Sequence, residues 1–294
     1  MTHPTNLPSP PLPPTAADPA AQFDSFHAAR ARTDLVARLY AAAMGEDYPH
    51  EVAASSSCDW PLLGLMAARL RMRPGQMLVD AGCGTGGIGL WLARALAVRL
   101  EGIDISPVAL AQATKRRTRF VPADRAAFRV ASLDATGLPE GCAHGVVCVD
   151  VLSFTQDRSE AVRELGRILA PGGRLTLTRS VKQGATPVWE DQAHAAGLTV
   201  EHIDERPGEP AMWGRLYQLW MEHADDLQRE LGDIQARNML RKAHRMMPAL
   251  HGRRAVLLTL RRPPTRHDDA GAADRMPEPG RPGDGPATSE RTPQ

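Results

Sequence analysis

The stretch from Met77 to Trp91, Met-Leu-Val-Asp-Ala-Gly-Cys-Gly-Thr-Gly-Gly-Ile-Gly-Leu-Trp, constrains this chain more than any other. A short apolar run ends in an acid, a glycine-rich turn follows, and an apolar helical pattern begins. That order predicts a nucleotide-type cofactor site at the carboxyl end of the first strand of an α/β sheet. Gly82, Gly84 and Gly86 allow a sharp turn and leave bare main chain for a ligand to lie against.

Asp80, two places before Gly82, bears on which ligand that is. Gly82, Gly84 and Gly87 also satisfy the dinucleotide fingerprint G-x-G-x-x-G, and Asp104 falls near the distance expected of a ribose-binding acid. A pyrophosphate, however, is repelled by a carboxylate beside it. S-adenosylmethionine carries no phosphate; it has a cationic sulfonium, a cationic ammonium and a ribose diol. An acid at the strand end suits that charge pattern, which favours the methyl donor over a nicotinamide dinucleotide. An NAD(P)-dependent oxidoreductase and a non-catalytic binding module stay open as rivals, since fold and cofactor motif do not guarantee activity.

The chain has 294 residues, room for one large domain with appendages, and 43% hydrophobic content supports a sizeable core. A net charge of +1 argues against a nucleic-acid binder driven by electrostatics. Lys115-Arg116-Arg117-Thr118-Arg119 reads as the solvated end of a surface helix. Cys58, Cys83, Cys142 and Cys148 form neither C-x-x-C nor a metal-ligand spacing, so reduced thiols and no metal are expected. No basic region precedes an apolar run at the start, and no segment approaches the roughly 20 apolar residues of a membrane span. The expectation is a cytoplasmic protein that uses neither membrane nor nucleic acid, as a monomer or homodimer.

Residues 1–21, rich in Pro, Ala, Thr and Ser, and residues 263–294, where Pro, Gly, Arg and Asp interleave, are expected to be disordered. Residues 22–75 read as a helical cap: one helix over about 23–43, then a second from Asp59, which caps it, to about Arg73. The core, residues 76–262, alternates strands at 77–81, 98–104, 127–131, 145–151, 173–179 and 199–204 with helices at 87–97, 107–117, 157–169 and 187–196. A last strand follows at 254–261. This alternation predicts a mostly parallel, doubly wound, Rossmann-like sheet. Residues 205–253 carry helical patterning far longer than a connection needs and read as an inserted lid.

With those elements placed, the chain resembles class I S-adenosylmethionine-dependent methyltransferases. The resemblance rests on Val-Asp-Ala-Gly-Cys-Gly-Thr-Gly, Gly-Ile-Asp104-Ile-Ser, Ala-Ser-Leu-Asp134-Ala-Thr-Gly-Leu-Pro, Val-Asp150-Val-Leu-Ser-Phe and Leu-Ala-Pro-Gly-Gly-Arg-Leu, in that order. More loosely, Gly-Glu-Asp-Tyr-Pro-His-Glu and Met-Trp-Gly-Arg-Leu-Tyr-Gln-Leu-Trp are similar to bacterial methyltransferases that tailor natural products. The resemblance implies a sheet whose last strand is antiparallel. It also implies that Gly82, Gly84 and Gly86 face the methionine part of the donor and that Asp80 binds its ammonium directly or through water. Asp104 would accept both ribose hydroxyls, Ile105 pack on the adenine, and Leu133, Asp134 and Ala135 read the ring edge. Asp150 would point toward the sulfonium and acceptor, while Tyr48 and Ser57 close over the donor.

For the acceptor, Trp213, Leu216, Tyr217, Trp220 and His223 recur at spacings of three and four, which puts them on one helix face. That face either docks the lid onto the core or lines an aromatic pocket with His223 or Tyr217 as base, completed by His50 and Glu51. The predicted function is methyl transfer to a hydrophobic or aromatic natural-product-like acceptor. Oxygen is the first choice of methylated atom and a ring carbon such as indole C3 the second. Two signatures of nucleic-acid methyltransferases, Asn/Asp-Pro-Pro-Tyr/Phe after the fourth strand and a Pro-Cys nucleophile, do not occur.

Overall fold

A computed structural model describes residues 18–264. The tail expectations over 1–17 and 265–294 lie outside the described residues, while residues 19–21, expected in the disordered tail, instead open the first helix, which Asp18 caps. Ten helices are described: α1 (Pro19–Arg30), α2 (Leu35–Met44), α3 (Trp60–Leu70), α4 (Gly87–Ala95), α5 (Pro107–Arg116), α6 (Arg158–Ile168), α7 (Trp189–Ala195), α8 (Glu209–Glu222), α9 (Ala224–Leu231) and α10 (Asp233–Met246). Seven strands accompany them: β1 (Met77–Ala81), β2 (Arg99–Asp104), β3 (Ala126–Val130), β4 (Ala143–Cys148), β5 (Leu169–Lys182), β6 (Thr199–Glu205) and β7 (Arg253–Arg261). The strands form one sheet in the order β3-β2-β1-β4-β5-β7-β6. β7 alone runs antiparallel, between β5 and β6. The order reverses between β1 and β4, and in sheets of this kind ligands bind at the carboxyl ends of the strands beside that switch.

Alternate residues of the strands serve the two faces. Leu78, Val147 and Leu257 join Leu62, Leu63 and Met66 of α3 and Leu90 and Leu92 of α4. Val79, Val146, Cys148, Leu175 and Leu258 join Ala161, Leu165 and Ile168 of α6 and Ala193 of α7. α3, expected to belong to the cap, thus covers the sheet itself. A third core binds Leu35, Val36, Leu39 and Tyr40 of α2 to Leu216, Tyr217 and Trp220 of α8 and to residues of α9 and α10. Cap and lid therefore form a single helical layer with an apolar interior of its own.

The capping signals hold. Asp59 accepts the Leu62 amide at 2.8 Å and Ser106 the Ala109 amide at 3.1 Å, each opening a helix whose first turn carries proline. Two expectations need correction. The single helix over 23–43 is two, parted at residues 31–34, where the Thr33 hydroxyl accepts the Leu35 amide at 3.0 Å and donates to Glu230. A side chain that bonds its own backbone competes with the helix ladder there. Also, Pro171-Gly172-Gly173 does not precede β5 but interrupts it. Ala143 pairs with Leu169 and Gly145 with Arg174, so the extra residues bulge while the strand continues.

Candidate functional site

The donor end lies where β1 and β2 finish. Asp80 shares its sheet face with Leu78, under α4, and is 3% exposed. Its Oδ2 accepts the Gly89 amide at 2.9 Å. Residue 89 has to be glycine, because an added Cβ would stand 2.7 Å from that oxygen. Burial pushes the Asp80 carboxyl up to about 7 against the pull of the Gly89 amide, and the charge of Asp104 adds to the rise. Asp104 accepts the Gly84 amide on Oδ2 at 2.8 Å and the Ser106 amide on Oδ1 at 2.9 Å. Burial raises its carboxyl as well. Each oxygen keeps a second lone pair, as a vicinal diol requires.

The three glycines of the turn have different reasons to be glycine. All have positive φ. A Cβ on Gly82 would lie 2.5 Å from Val151, and one on Gly86 would lie 2.9 Å from Ala113, so both are required by packing. A Cβ on Gly84 would make only ordinary contact, with His27 Cε1 at 3.5 Å, so the positive φ rather than crowding calls for glycine there. A half-buried glycine backbone beside two acids whose ionised forms are penalised by burial fits a ligand with cationic groups.

His27 belongs to α1, which the sequence pattern did not connect to this site. Asp24 of α1 accepts the Ser106 hydroxyl at 2.6 Å and the Val108 amide at 3.2 Å. Phe23 meets Phe154 edge-on at 5.4 Å. α1 is thereby tied across Gly84. Burial, then the charge of Arg30, brings the His27 imidazole down to about 4. Past β3, Leu133 is buried, while Asp134 and Ala135 are exposed on a turn closed by the Ser132–Ala135 bridge. Ile105 is half-buried next to Asp104.

Asp150 sits at φ +60°, a backbone state that aspartate adopts more readily than most residues. Its Oδ2 accepts the Ser57 amide at 2.6 Å, and its Oδ1 accepts the hydroxyls of Ser57 at 3.1 Å and Thr178 at 2.9 Å. Arg206 completes this network, donating to the Ser57 hydroxyl at 2.9 Å, the Ser57 carbonyl at 2.7 Å and Asp59 at 3.1 Å. Both oxygens of Asp150 and the hydroxyl of Ser57 are thus engaged by protein partners, with one lone pair of Asp150 Oδ2 left over. Tyr48 is buried, its hydroxyl unpaired, and the exposed His50 ring meets it edge-on at 4.9 Å. Glu51 is not brought to the lid. It accepts from Trp91 at 2.9 Å and Arg94 at 2.7 Å on α4.

The aromatic helix face packs into the helical core, where Leu216, Tyr217 and Trp220 are all buried and Trp213 packs at the edge. Leu216 and Trp220 are core, buried against α2, with Trp220 edge-on to Tyr40 at 6.5 Å. Trp213, half-buried, stacks on Tyr217 at 5.6 Å and donates its indole N–H to Glu209 at 2.6 Å. His223 stands apart at the α8–α9 junction, where its Nδ1 pairs with Asp226 at 3.0 Å, because α8 ends before its periodicity reaches that residue. Burial and the charges of Glu209 and Asp150 hold the Tyr217 phenol well above its ordinary range, which makes it a donor rather than a base at neutral pH. Glu209, unmarked in the sequence pattern, has its carboxyl raised by burial and by Asp150. Among the described residues no group of three or more His, Cys, Asp or Glu could hold a metal ion, and no helix is long and apolar enough to cross a membrane.

Residues 79–177 match the model of a methyltransferase domain. The O-methyltransferase resE of Aspergillus sclerotiorum is 27% identical over 166 residues, covering 56% of this chain and 62% of that protein. The 27-O-demethylrifamycin SV methyltransferase of Amycolatopsis mediterranei is 30% identical over 160 residues, covering 53% and 55%. The chain thus spans less than two thirds of these relatives. Among solved structures, the [4+2]-cyclase SpnF superposes with a TM-score of 0.65 at 22% identity, covering 84% of this chain and 97% of that one. Together with the strand order, the glycine turn and the paired acids, these matches support a methyltransferase domain of the class I S-adenosylmethionine-dependent kind over residues 79–177.

Proposed function

We propose that this protein transfers a methyl group from S-adenosylmethionine to a hydroxyl oxygen of a hydrophobic or aromatic small molecule. The observation that carries the reading is Asp104, its two oxygens fixed by the Gly84 and Ser106 amides at the end of β2. The relative named as an O-methyltransferase, together with one named for a 27-O-demethyl substrate, supports oxygen as the methylated atom. The donor supplies a methyl already activated on a cationic sulfur. The protein's work is to align the acceptor, exclude water and take up one proton. In the transfer the C–S bond breaks, a C–O bond forms, and sulfur leaves as a neutral thioether. Asp104 holds the ribose diol and Asp80 attracts the ammonium, with α1 closing over them. Glu209, at the start of α8 beside Trp213 and Tyr217, receives the hydroxyl proton; its raised carboxyl is better matched to that task than an ordinary one.

Calorimetric titration with S-adenosylhomocysteine tests the donor half, with Asp104→Ala as the control. Micromolar binding, weakened at least tenfold in the variant, is expected. Mass spectrometry of reactions with phenols then tests the transfer. Binding without any methylated product would refute methyl transfer while leaving the cofactor site intact, an outcome to be weighed given that a cyclase shares this fold.

A further inference from the structure

Two cations in the helical layer lack an anion. Arg30 ends α1, one turn beyond His27. Its guanidinium lies 3.3 Å above the Phe26 ring and its Nη2 reaches the Met239 sulfur at 3.6 Å. Nε and Nη1 are closed off from solvent and have no hydrogen-bond partner. Lys242, one turn beyond Met239 on α10, places its ammonium 5.3 Å over the Trp213 ring and makes no hydrogen bond or ion pair among the described residues. Three other shielded arginines have a carboxylate partner: Arg174 pairs with Glu201, Arg69 with Asp204 and Arg206 with Asp59, whereas Arg116 and Arg117 are satisfied in part by backbone carbonyls. Shielded charge without a partner is costly, and protein interiors normally supply one. The acid that acts on Lys242 is Asp150, whose two oxygens are already engaged by Ser57 and Thr178.

Resting on the methyltransferase reading above, we propose that Arg30 and Lys242 together bind an acidic group of the acceptor, so that the substrate is a hydroxylated small molecule bearing a carboxylate. The contacts of Lys242 place this subsite. It stacks on Trp213, whose indole N–H holds Glu209, so the cation pair adjoins the face where the acceptor's proton is taken. Arg30 connects the same point to α1 and, through His27, to Gly84. One carboxylate between a guanidinium and an ammonium satisfies both cations with charge-assisted hydrogen bonds. It also fixes the far end of the acceptor while its hydroxyl faces the donor. An aromatic lid alone would accept any flat molecule; the cation pair makes the site select for charge.

The test uses the full chain loaded with S-adenosylhomocysteine and paired probes: 4-hydroxyphenylacetate, 3-(4-hydroxyphenyl)propanoate and 4-hydroxycinnamate, each against its primary amide, by calorimetry. At least one acid is expected to bind roughly 10- to 100-fold more tightly than its amide, the range of a charged hydrogen bond. Lys242→Met is expected to bring that acid to the level of its amide, leaving the amide and S-adenosylhomocysteine affinities unchanged. Arg30→Met should act likewise; if its burial prevents folding, the half-buried Lys242 decides alone. The inference is overturned if no acid outbinds its amide, or if the preference survives in Lys242→Met. It is equally overturned if Lys242→Met weakens S-adenosylhomocysteine instead, since the cations would then serve the donor's own carboxylate. Failure of the wild type to bind S-adenosylhomocysteine would refute the methyltransferase reading, and this inference with it.

Discussion

Asp80→Asn is expected to make the ligand-free protein more stable at alkaline pH while weakening its hold on the donor. The folded carboxyl titrates near 7, against an ordinary 3.8 in an unfolded chain, chiefly because it is buried. An acid whose folded pKa is raised contributes full stability below its unfolded value, loses it as pH climbs, and levels off above its folded value. At 1.36 kcal/mol per pH unit, the cost of ionising Asp80 in the fold reaches about 4 kcal/mol by pH 8. About 1.5–2 kcal/mol of this is already present at pH 5, so wild type should lose about 2–3 kcal/mol relative to Asp80→Asn between pH 5 and pH 8. Asparagine keeps an oxygen for the Gly89 amide, so the comparison isolates the charge. Urea denaturation of both proteins at several pH values, without ligand, measures the difference. S-adenosylhomocysteine titration at pH 8 measures the other side, where the variant should bind more weakly for want of a carboxylate near the ammonium. Parallel stability curves across that range would show that Asp80 is not ionised at the expense of the fold, and the account of its burial would be wrong.

Other expectations concern the network and the proton. Arg206→Met should cost about 3–5 kcal/mol, because its side chain is only 8% exposed and its loss strips three hydrogen bonds from Ser57 and Asp59. A midpoint shift in urea worth less than 1 kcal/mol would mean that Ser57 and Asp150 hold together without it. Glu209→Gln should lower kcat by 100-fold or more with S-adenosylhomocysteine affinity unchanged. In the wild type the acid limb of the rate profile should lie above the usual carboxylate range, as the direction of the Glu209 shift requires. A variant with an unaltered rate would remove Glu209 as the base.

The legible part of this protein is what neighbours in sequence decide. The β1–turn–α4 unit, the caps at Asp59 and Ser106, the alternation of strands and helices and the acid at the end of β2 all follow from short-range rules. Backbone sterics at glycine, side-chain bonds to helix N-termini and hydrophobic period each act over a few residues. The proposed donor site is built from that material: Asp80, Gly84 and Asp104, marked in the sequence, come together where β1 and β2 end. His223 misleads because periodicity continues past Glu222 while the helix does not.

The acceptor side belongs to tertiary structure. Arg206 meets Ser57 across 149 residues, Arg30 reaches Met239 across 209, and Asp24 caps a loop 82 residues away. No periodicity or spacing encodes such pairs. Whether Glu209 is shielded, whether Trp220 docks a helix or lines a pocket, and whether Arg30 finds an anion depend on which helices end up side by side. The sequence by itself determined the alternation of strands and helices, the glycine turn and the acids at the ends of β1 and β2, because those depend on local geometry. Only the packing of α1 and α2 against α8–α10 decided which polar groups lose water without gaining a partner, because desolvation is set by distant chain segments.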